Sequence, residues 1–196
     1  MKLLKNLYNW VLHWAHTPYG KPALFGISFA EASFFPIPPD VLQIALSISR
    51  PQKSFLYAGI SVIASLLGAA LGYFIGFYFM EVIGWPILNM YGLHDKYEQV
   101  RVLFERYDAW AIMIAGFTPI PFKLFTIASG AFHIQFAVLM LASFVSRAGR
   151  FFLVAALIYK YGGPIKVFID KYFNFLTILF IALIIGGFWL IKVVLV

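Results

Sequence analysis

The sequence contains no cysteine, and its 196 residues include only 8 acidic side chains beside 15 basic ones. The absence of cysteine excludes disulfides and thiolate metal sites, and it leaves the redox compartment undetermined. Charged residues make up 12% of the chain and hydrophobic residues 62%, whereas a soluble domain usually carries about 25% charged residues. Because so much apolar surface must face something other than water, the composition predicts a membrane protein.

The basic residues form no run or patch, although the formal net charge is +7. They stand singly at the ends of apolar segments, as the flanking charges of membrane helices do. We therefore expect membrane lipids as partners and no nucleic acid. The four histidines have no spacing that suits a metal, so neither a metal nor another cofactor is expected. The oligomeric state stays open, with a homo-oligomer among the alternatives.

Three segments are predicted to span the bilayer. Residues 55–80 and 172–191 carry no charge, and about 20 such residues cross a hydrocarbon core of ~30 Å. Gly68, Gly72 and Gly76 repeat every four residues in the first span, a spacing that lets helices pack closely. Residues 134–158 form the third predicted span, although two arginines interrupt them.

Two further segments, residues 23–48 and 110–133, are long enough to span but are broken at their centres by prolines. Both breaks contain the sequence Pro-Ile-Pro. Because proline removes a backbone donor, and irregular backbone at membrane depth needs cover from protein or a water-filled cavity, each segment is predicted to be a re-entrant hairpin. The predicted hinges are Pro36, Pro38, Pro39, Pro119 and Pro121.

These patterns predict one all-α polytopic membrane domain over residues 1–196. It is an inverted repeat of two re-entrant hairpins, each followed by a transmembrane helix. An N-terminus in the cytoplasm places most of the flanking lysines and arginines inside, as is usual for membrane proteins. The predicted parts are an interfacial amphipathic helix (1–22), the first repeat (23–80), an amphipathic connector (81–109), the second repeat (110–160), and a turn with a C-terminal transmembrane helix (161–196).

Arg147 and Arg150 lie near the middle of the third predicted span, one helical turn apart. An arginine at the bilayer centre costs about 2.5–3.5 kcal/mol, so both must face an interior with anionic partners. Glu31 and Asp40 flank the prolines of the first hairpin, and Lys123 follows those of the second.

Two interpretations of these charges stay open. In one, buried ion pairs hold the hairpins against the span. In the other, Arg147, Arg150 and Lys123 bind an anionic head group, because guanidinium groups bind phosphate bidentately. Glu31 and Asp40 then pair with the arginines in the empty site, and one of them exchanges protons when the site changes exposure.

The chain resembles the DedA family, which carries the SNARE-associated or VTT domain, and especially its short YqaA-like branch. The resemblance lies in the acidic first hairpin, the glycine-rich span, the second hairpin around Pro119, and the Arg-Ala-Gly-Arg sequence at 147–150. It implies opposed re-entrant hairpins and proton-dependent movement of undecaprenyl phosphate or phospholipid. Typical members carry arginines around the second-hairpin proline, where this chain has Gly116 and Phe122 with Lys123 adjacent.

We therefore expect a lipid transporter of the flippase or scramblase type in the bacterial inner membrane, moving an anionic lipid. The alternatives are a secondary transporter for an ion or small solute, a membrane lipid-phosphate phosphatase, and a structural or assembly protein. No enzymatic activity is expected, because the cores of the hairpins contain no histidine and no recognisable pair of nucleophile and base.

Overall fold

The computed structural model describes residue 14 and residues 17–34, 38–118 and 121–162, and all regular structure in these ranges is helical. This confirms the all-α class. Most of the predicted interfacial helix, the predicted C-terminal transmembrane helix, Pro36 and Pro119 lie outside the described residues. The elements are α1 (Gly20–Ser33), α2 (Asp40–Ser49), a 3₁₀ turn (Pro51–Lys53), α3 (Ser54–Phe79), a π turn (Met80–Gly84), α4 (Trp85–Tyr91), α5 (His94–Phe117), α6 (Phe122–Ala131) and α7 (Phe136–Tyr161).

Helices α3 and α7 are the candidate membrane spans. Each has 26 residues, which corresponds to a length of about 39 Å. Both are long and apolar enough to cross a bilayer. They run antiparallel, because the Tyr73 hydroxyl donates a 2.9 Å hydrogen bond to the Ile134 carbonyl at one end, and the rings of Phe55 and Tyr159 lie 5.4 Å apart at the other.

Helices α1 and α2 fold back on each other as a hairpin. The start of α1 lies beside the end of α2, since a Cβ atom on Gly20 would come within 2.8 Å of the Leu46 side chain. Leu24 and Leu46 share a buried cluster with Tyr57 near the start of α3. The base of this first hairpin therefore lies at the N-terminal end of α3, and Pro38 and Pro39 lie at its opposite end, before α2.

Helices α5 and α6 form the second hairpin. The Tyr97 hydroxyl donates a 2.9 Å hydrogen bond to the Ala131 carbonyl, so the start of α5 lies beside the end of α6. A Cβ atom on Gly130 would overlap the Tyr73 carbonyl, which places this base near the C-terminal end of α3. The two hairpins therefore approach from opposite ends of α3.

The sequence predicts a boundary between an amphipathic connector (81–109) and the second repeat (110–160). In the structure, α5 (His94–Phe117) runs through this boundary without a break. No glycine or proline occurs between residues 94 and 115, so nothing interrupts the backbone hydrogen bonds where the side chains change from charged to apolar. The charged surface segment and the apolar segment are one helix, and the first arm of the second hairpin begins at His94.

The hairpin tips meet beside the middle of α3. The Thr126 hydroxyl of α6 donates a 3.0 Å hydrogen bond to the Ala32 carbonyl of α1. Gly72 faces both hairpins, because a Cβ atom there would overlap Thr126 and lie 3.3 Å from the Ala32 carbonyl oxygen. Gly68 faces the Phe29 carbonyl in the same way, and Gly76 the Ile127 carbonyl. The glycine spacing serves close packing, as the sequence predicted.

Candidate functional site

The two arginines of α7 lie close to the middle of the helix. Arg147 and Arg150 are about 16 Å and 21 Å from its start along the axis. Both side chains face the first hairpin, and each forms an ion pair with a carboxylate that flanks the hairpin tip. The structure therefore brings together four of the charged residues that the sequence singled out.

Arg147 forms the inner pair, which is nearly closed to solvent. Its Nη2 donates a 2.8 Å hydrogen bond to Glu31 Oε2, and the side chains are 2% and 15% exposed. The guanidinium also lies over the ring of Phe122, 4.1 Å from its centre, an arrangement in which the ring stabilises the cation. Its Nε is buried and has no hydrogen-bond partner among the described residues.

Arg150 forms the outer pair and joins the two hairpin tips. Its Nε and Nη2 donate to the two oxygens of Asp40 at 3.0 and 2.7 Å. Its Nη1 donates to the Thr118 carbonyl at 2.9 Å. Asp40 is the first residue of α2 and Thr118 caps the C-terminus of α5. Each charge therefore suits the helix end beside it, an anion at an N-terminus and a cation at a C-terminus.

The two pairs differ in their access to solvent. The Arg150 and Asp40 side chains are 19% and 18% exposed, whereas Arg147 is 2% exposed. Burying an arginine and a carboxylate is costly, and their attraction repays this only while both partners remain. An incoming anion would meet Arg150 first and would have to displace Asp40 to bind it fully.

Lys123 lies in the first turn of α6 and is half-buried. It forms no ion pair among the described residues, so the structure does not join it to the arginine cluster by a direct contact. Its neighbour Phe122 is the residue that stacks on Arg147.

The predicted hinges that the structure describes lie where helices begin. Pro39 is the N-cap of α2 and Pro121 the N-cap of α6, while Pro38 is exposed in the tip. Proline suits the start of a helix because a backbone donor is unpaired there in any case. In the described residues, α1 ends at Ser33 and α2 begins at Asp40, while α5 ends at Phe117 and α6 begins at Phe122.

Three contacts of the site had no signal in the sequence. These are the Thr118 carbonyl that accepts from Arg150, the Phe122 ring on Arg147, and Gln43 Nε2, which donates to the Phe151 carbonyl at 3.0 Å. A backbone carbonyl has no signature in sequence, and an aromatic residue after a proline is ordinary in a membrane segment. Only an approximate internal repeat hinted that the two tips would meet.

Comparison with known proteins supports one family. Residues 32–160, roughly two thirds of the chain, match the model of the VTT domain, and this range contains Asp40, Lys123, Arg147 and Arg150. An uncharacterized protein of Haemophilus influenzae is 36% identical over 157 residues, which are 80% of this chain and 81% of that protein. A Histophilus somni homologue is 34% identical over 157 residues (80% and 82%).

A more distant relative is an uncharacterized protein of the archaeon Methanocaldococcus jannaschii. It is 28% identical over 132 residues, which are 67% of this chain and 79% of that protein. No solved structure matches the chain.

Proposed function

Because the chain belongs to the VTT-domain family of membrane-associated proteins, we propose that it transports an anionic lipid, such as undecaprenyl phosphate or a phospholipid, across the bacterial inner membrane. One observation carries the proposal. Two arginine–carboxylate pairs lie where two opposed hairpins meet, beside the middle of two antiparallel apolar helices. Broken segments that meet near the midplane are the layout in which transporters build substrate sites.

The site is suited to a phosphate-bearing head group. Two guanidinium groups one turn apart can each present parallel N–H donors to phosphate oxygens. Both are already neutralised by carboxylates, so the empty site is stable, and an anion can replace Asp40 or Glu31 as the partner. Lys123, on the opposing hairpin, supplies a further cation when the tips move.

Transport then proceeds by exchange of charge partners. The head group binds Arg150 first, displaces Asp40, and next reaches Arg147 behind it, while its tails stay in the surrounding lipid. The hairpins enter the membrane from opposite faces, and rocking of one against the other changes the face to which the site opens. A carboxylate that loses its arginine takes up a proton, which couples transport to the proton gradient. Apart from this proton transfer, the step forms and breaks no covalent bond.

Reconstitution tests this proposal. The purified protein is placed in liposomes, and transbilayer movement of labelled phospholipid and of polyprenyl phosphate is followed. We expect Arg147→Ala and Arg150→Ala each to abolish movement. Arg101→Ala is the matched control, because Arg101 also pairs with carboxylates, Glu98 at 2.7 Å and Glu105 at 3.4 Å, but on the exposed surface of α5. Normal transport by both site variants would contradict the assignment.

A double substitution separates a binding site from a purely structural ion pair. Glu31→Leu with Arg147→Met removes both charges and leaves apolar groups of similar size, an exchange that often preserves stability. We expect a folded protein that moves no lipid. Full transport by this variant would assign the pair a structural role only. Absence of lipid movement by the folded wild-type protein would redirect the search to ions or small solutes.

A further inference from the structure

Buried hydroxyl groups fall into two classes in the described residues. Ser33, Ser129 and Ser146 each donate to a carbonyl one turn earlier, at 2.7–2.8 Å. Other serines are buried without any hydrogen-bond partner among the described residues. A serine in any helix can donate its hydroxyl to the carbonyl one turn earlier, but these serines do not. On the side of the first hairpin these are Ser28, Ser47, Ser61 and Ser65, all 0% exposed.

Two of these unpaired serines lie on the surface of α3 that faces α1. Ser61 and Ser65 precede Gly68 and Gly72 on one helical stripe, and Gly68 contacts the Phe29 carbonyl. Ser28 precedes Ala32 by one helical turn on the same face, a Cβ atom on Gly68 would lie 2.9 Å from the Ala32 Cβ, and α1 and α3 run in the same direction. The three hydroxyls therefore lie along one boundary between these helices.

The other unpaired oxygens of this side lie on α2. Asp40, Gln43 and Ser47 occupy one face of that helix, since they are three and seven residues apart. Gln43 is 0% exposed, and its amide nitrogen donates to the Phe151 carbonyl of α7, while its Oε1 has no partner among the described residues. Phe151 also packs against Ala58 and Val62 of α3, so this face of α2 and the serine stripe of α3 approach the same part of α7.

The boundary ends at the inner ion pair. Glu31 follows Ser28 by three residues, and Arg147, with its own unpaired Nε, precedes Phe151 by one turn. At the other end, Ser47 lies about 10 Å along α2 from Asp40, toward the base of the first hairpin. We call Ser28, Gln43, Ser47, Ser61 and Ser65 the serine seam.

Buried polar atoms without a protein partner are usually satisfied by buried waters, each making about three hydrogen bonds. We propose that the serine seam binds a line of waters that connects the base of the first hairpin to Glu31 and carries protons to it. The residues of the seam are fully buried and the seam contains no charged group, so it admits water and protons but no lipid head group. The proton-carrying role rests on the transport function proposed above.

Protonation of Glu31 would release Arg147 for the anion. The charged side chains around Glu31 in the described structure are Arg147 and Arg150 of α7 and Asp40 of α2. A proton that arrives through the seam converts the carboxylate to a neutral acid, and its departure by the same route restores the ion pair. The route is one-sided. Thr126 and Ser129 of the second hairpin are hydrogen-bonded, and Ser143 of α7 is the only buried hydroxyl without a partner beyond Arg147 in the described ranges.

Single cysteines test the seam directly, because the chain has none of its own. Silver(I) ions are added to oriented membrane vesicles, and protection of each thiol from later alkylation is read by mass spectrometry. The thiolate is the reactive form and needs water around it. We expect Ser47→Cys, Ser61→Cys and Ser65→Cys to react at least tenfold faster than Ala58→Cys and Ala69→Cys, which are equally buried positions of α3.

The order of these positions makes the test specific. Ala58 is nearer the base of the first hairpin than Ser61, and Ala69 is deeper than Ser65. Thiol reactivity that depended only on depth in the membrane would therefore not separate the serine positions from the alanine positions. Faster reaction at the serine positions must then come from the water that the seam binds. Reaction should occur from the face at the base of the first hairpin alone. Equal rates at serine and alanine positions, in variants that melt like the wild type, would overturn the proposal. Ser47→Cys, on a different helix, keeps the test valid if the α3 variants misfold.

Failure of this proposal differs from failure of the transport function. Reactive seam thiols in a protein that moves no lipid would support the water line and contradict lipid transport. Lipid movement in a protein whose seam thiols stay unreactive would contradict the water line alone.

Discussion

The two hairpins share an architecture but differ in chemistry. Each consists of two helices joined at prolines, and each packs its tip against glycines of α3. The first carries Glu31 and Asp40 beside its tip, together with Ser28 and Ser47, two buried hydroxyls that have no partner among the described residues. The second offers a carbonyl, an aromatic ring and Lys123, and its buried hydroxyls are satisfied.

This difference separates what the scaffold needs from what the site needs. Close approach of a hairpin to a spanning helix depends on small residues, which α3 presents to both hairpins. The charges that neutralise Arg147 and Arg150 come from the first hairpin alone. The second hairpin instead packs on α7 mainly through apolar side chains, Ile112 and Ala115 against Leu139 and Ala142. Separating it from α7 would break no ion pair among the described residues, whereas separating the first hairpin would break two.

The largest effect should come from removing one carboxylate of the first hairpin. Glu31→Gln leaves Arg147 buried without an anionic partner, and breaking one side of a buried pair costs about 3–5 kcal/mol of unfolding free energy. Lys123→Gln, the comparable change in the second hairpin, should cost less than about 0.5 kcal/mol, because Lys123 has no ion-pair partner among the described residues. Chemical unfolding in detergent measures both.

The comparison would fail if these two variants lost stability equally. Charge pairing would then matter equally in both halves. The double variant Glu31→Leu with Arg147→Met should recover most of the lost stability, since it leaves no unpaired charge.

Glycine substitutions should show, by contrast, that the two halves depend equally on close packing. A Cβ atom on Gly68 would overlap the Phe29 carbonyl of the first hairpin, and one on Gly76 the Ile127 carbonyl of the second. Because backbone cannot swing aside, Gly68→Ala and Gly76→Ala should each cost about 1–3 kcal/mol. Gly59→Ala, where no atom lies within 4 Å, should stabilise α3 by about 0.5–1 kcal/mol. Thermal unfolding of the three variants distinguishes these outcomes.

The sequence predicted more of the scaffold than of the site. The breaks at the prolines, the glycine contacts and both described spans follow from local rules on backbone donors, side-chain size and hydropathy. That the arginines would meet Glu31 and Asp40 followed from the cost of unpaired charge. Which arginine pairs with which carboxylate depends on the crossing of α1, α2 and α7, and no local pattern encodes that crossing.

A smaller effect is expected at the base of the second hairpin. Tyr97→Phe removes the hydroxyl that donates to the Ala131 carbonyl and keeps the ring that packs 5.5 Å from Phe132. One hydrogen bond contributes about 0.5–1.5 kcal/mol, and the carbonyl is near the surface. Hydrogen exchange should quicken at the start of α5 and the end of α6, with α1 and α2 unchanged. Faster exchange in the first hairpin as well would mean that the two halves open together.

The smallest effect should come from an arginine–carboxylate pair outside the membrane. Arg101 lowers the pKa of Glu98 through its side-chain hydrogen bond, but both groups lie on the exposed surface of α5. A lowered pKa stabilises the folded state above the ordinary glutamate value of 4.5, and this contribution is lost as the pH falls through the lowered value. Arg101→Ala should therefore return the pKa of Glu98 to its usual range, measured by NMR titration, with little change in the stability of the fold, since exposed ion pairs contribute little. If Arg101→Ala lowered the free energy of unfolding at neutral pH as much as Glu31→Gln does, pairing alone would explain the stability effect. That result would contradict the view that the inner pair matters for stability because it is buried.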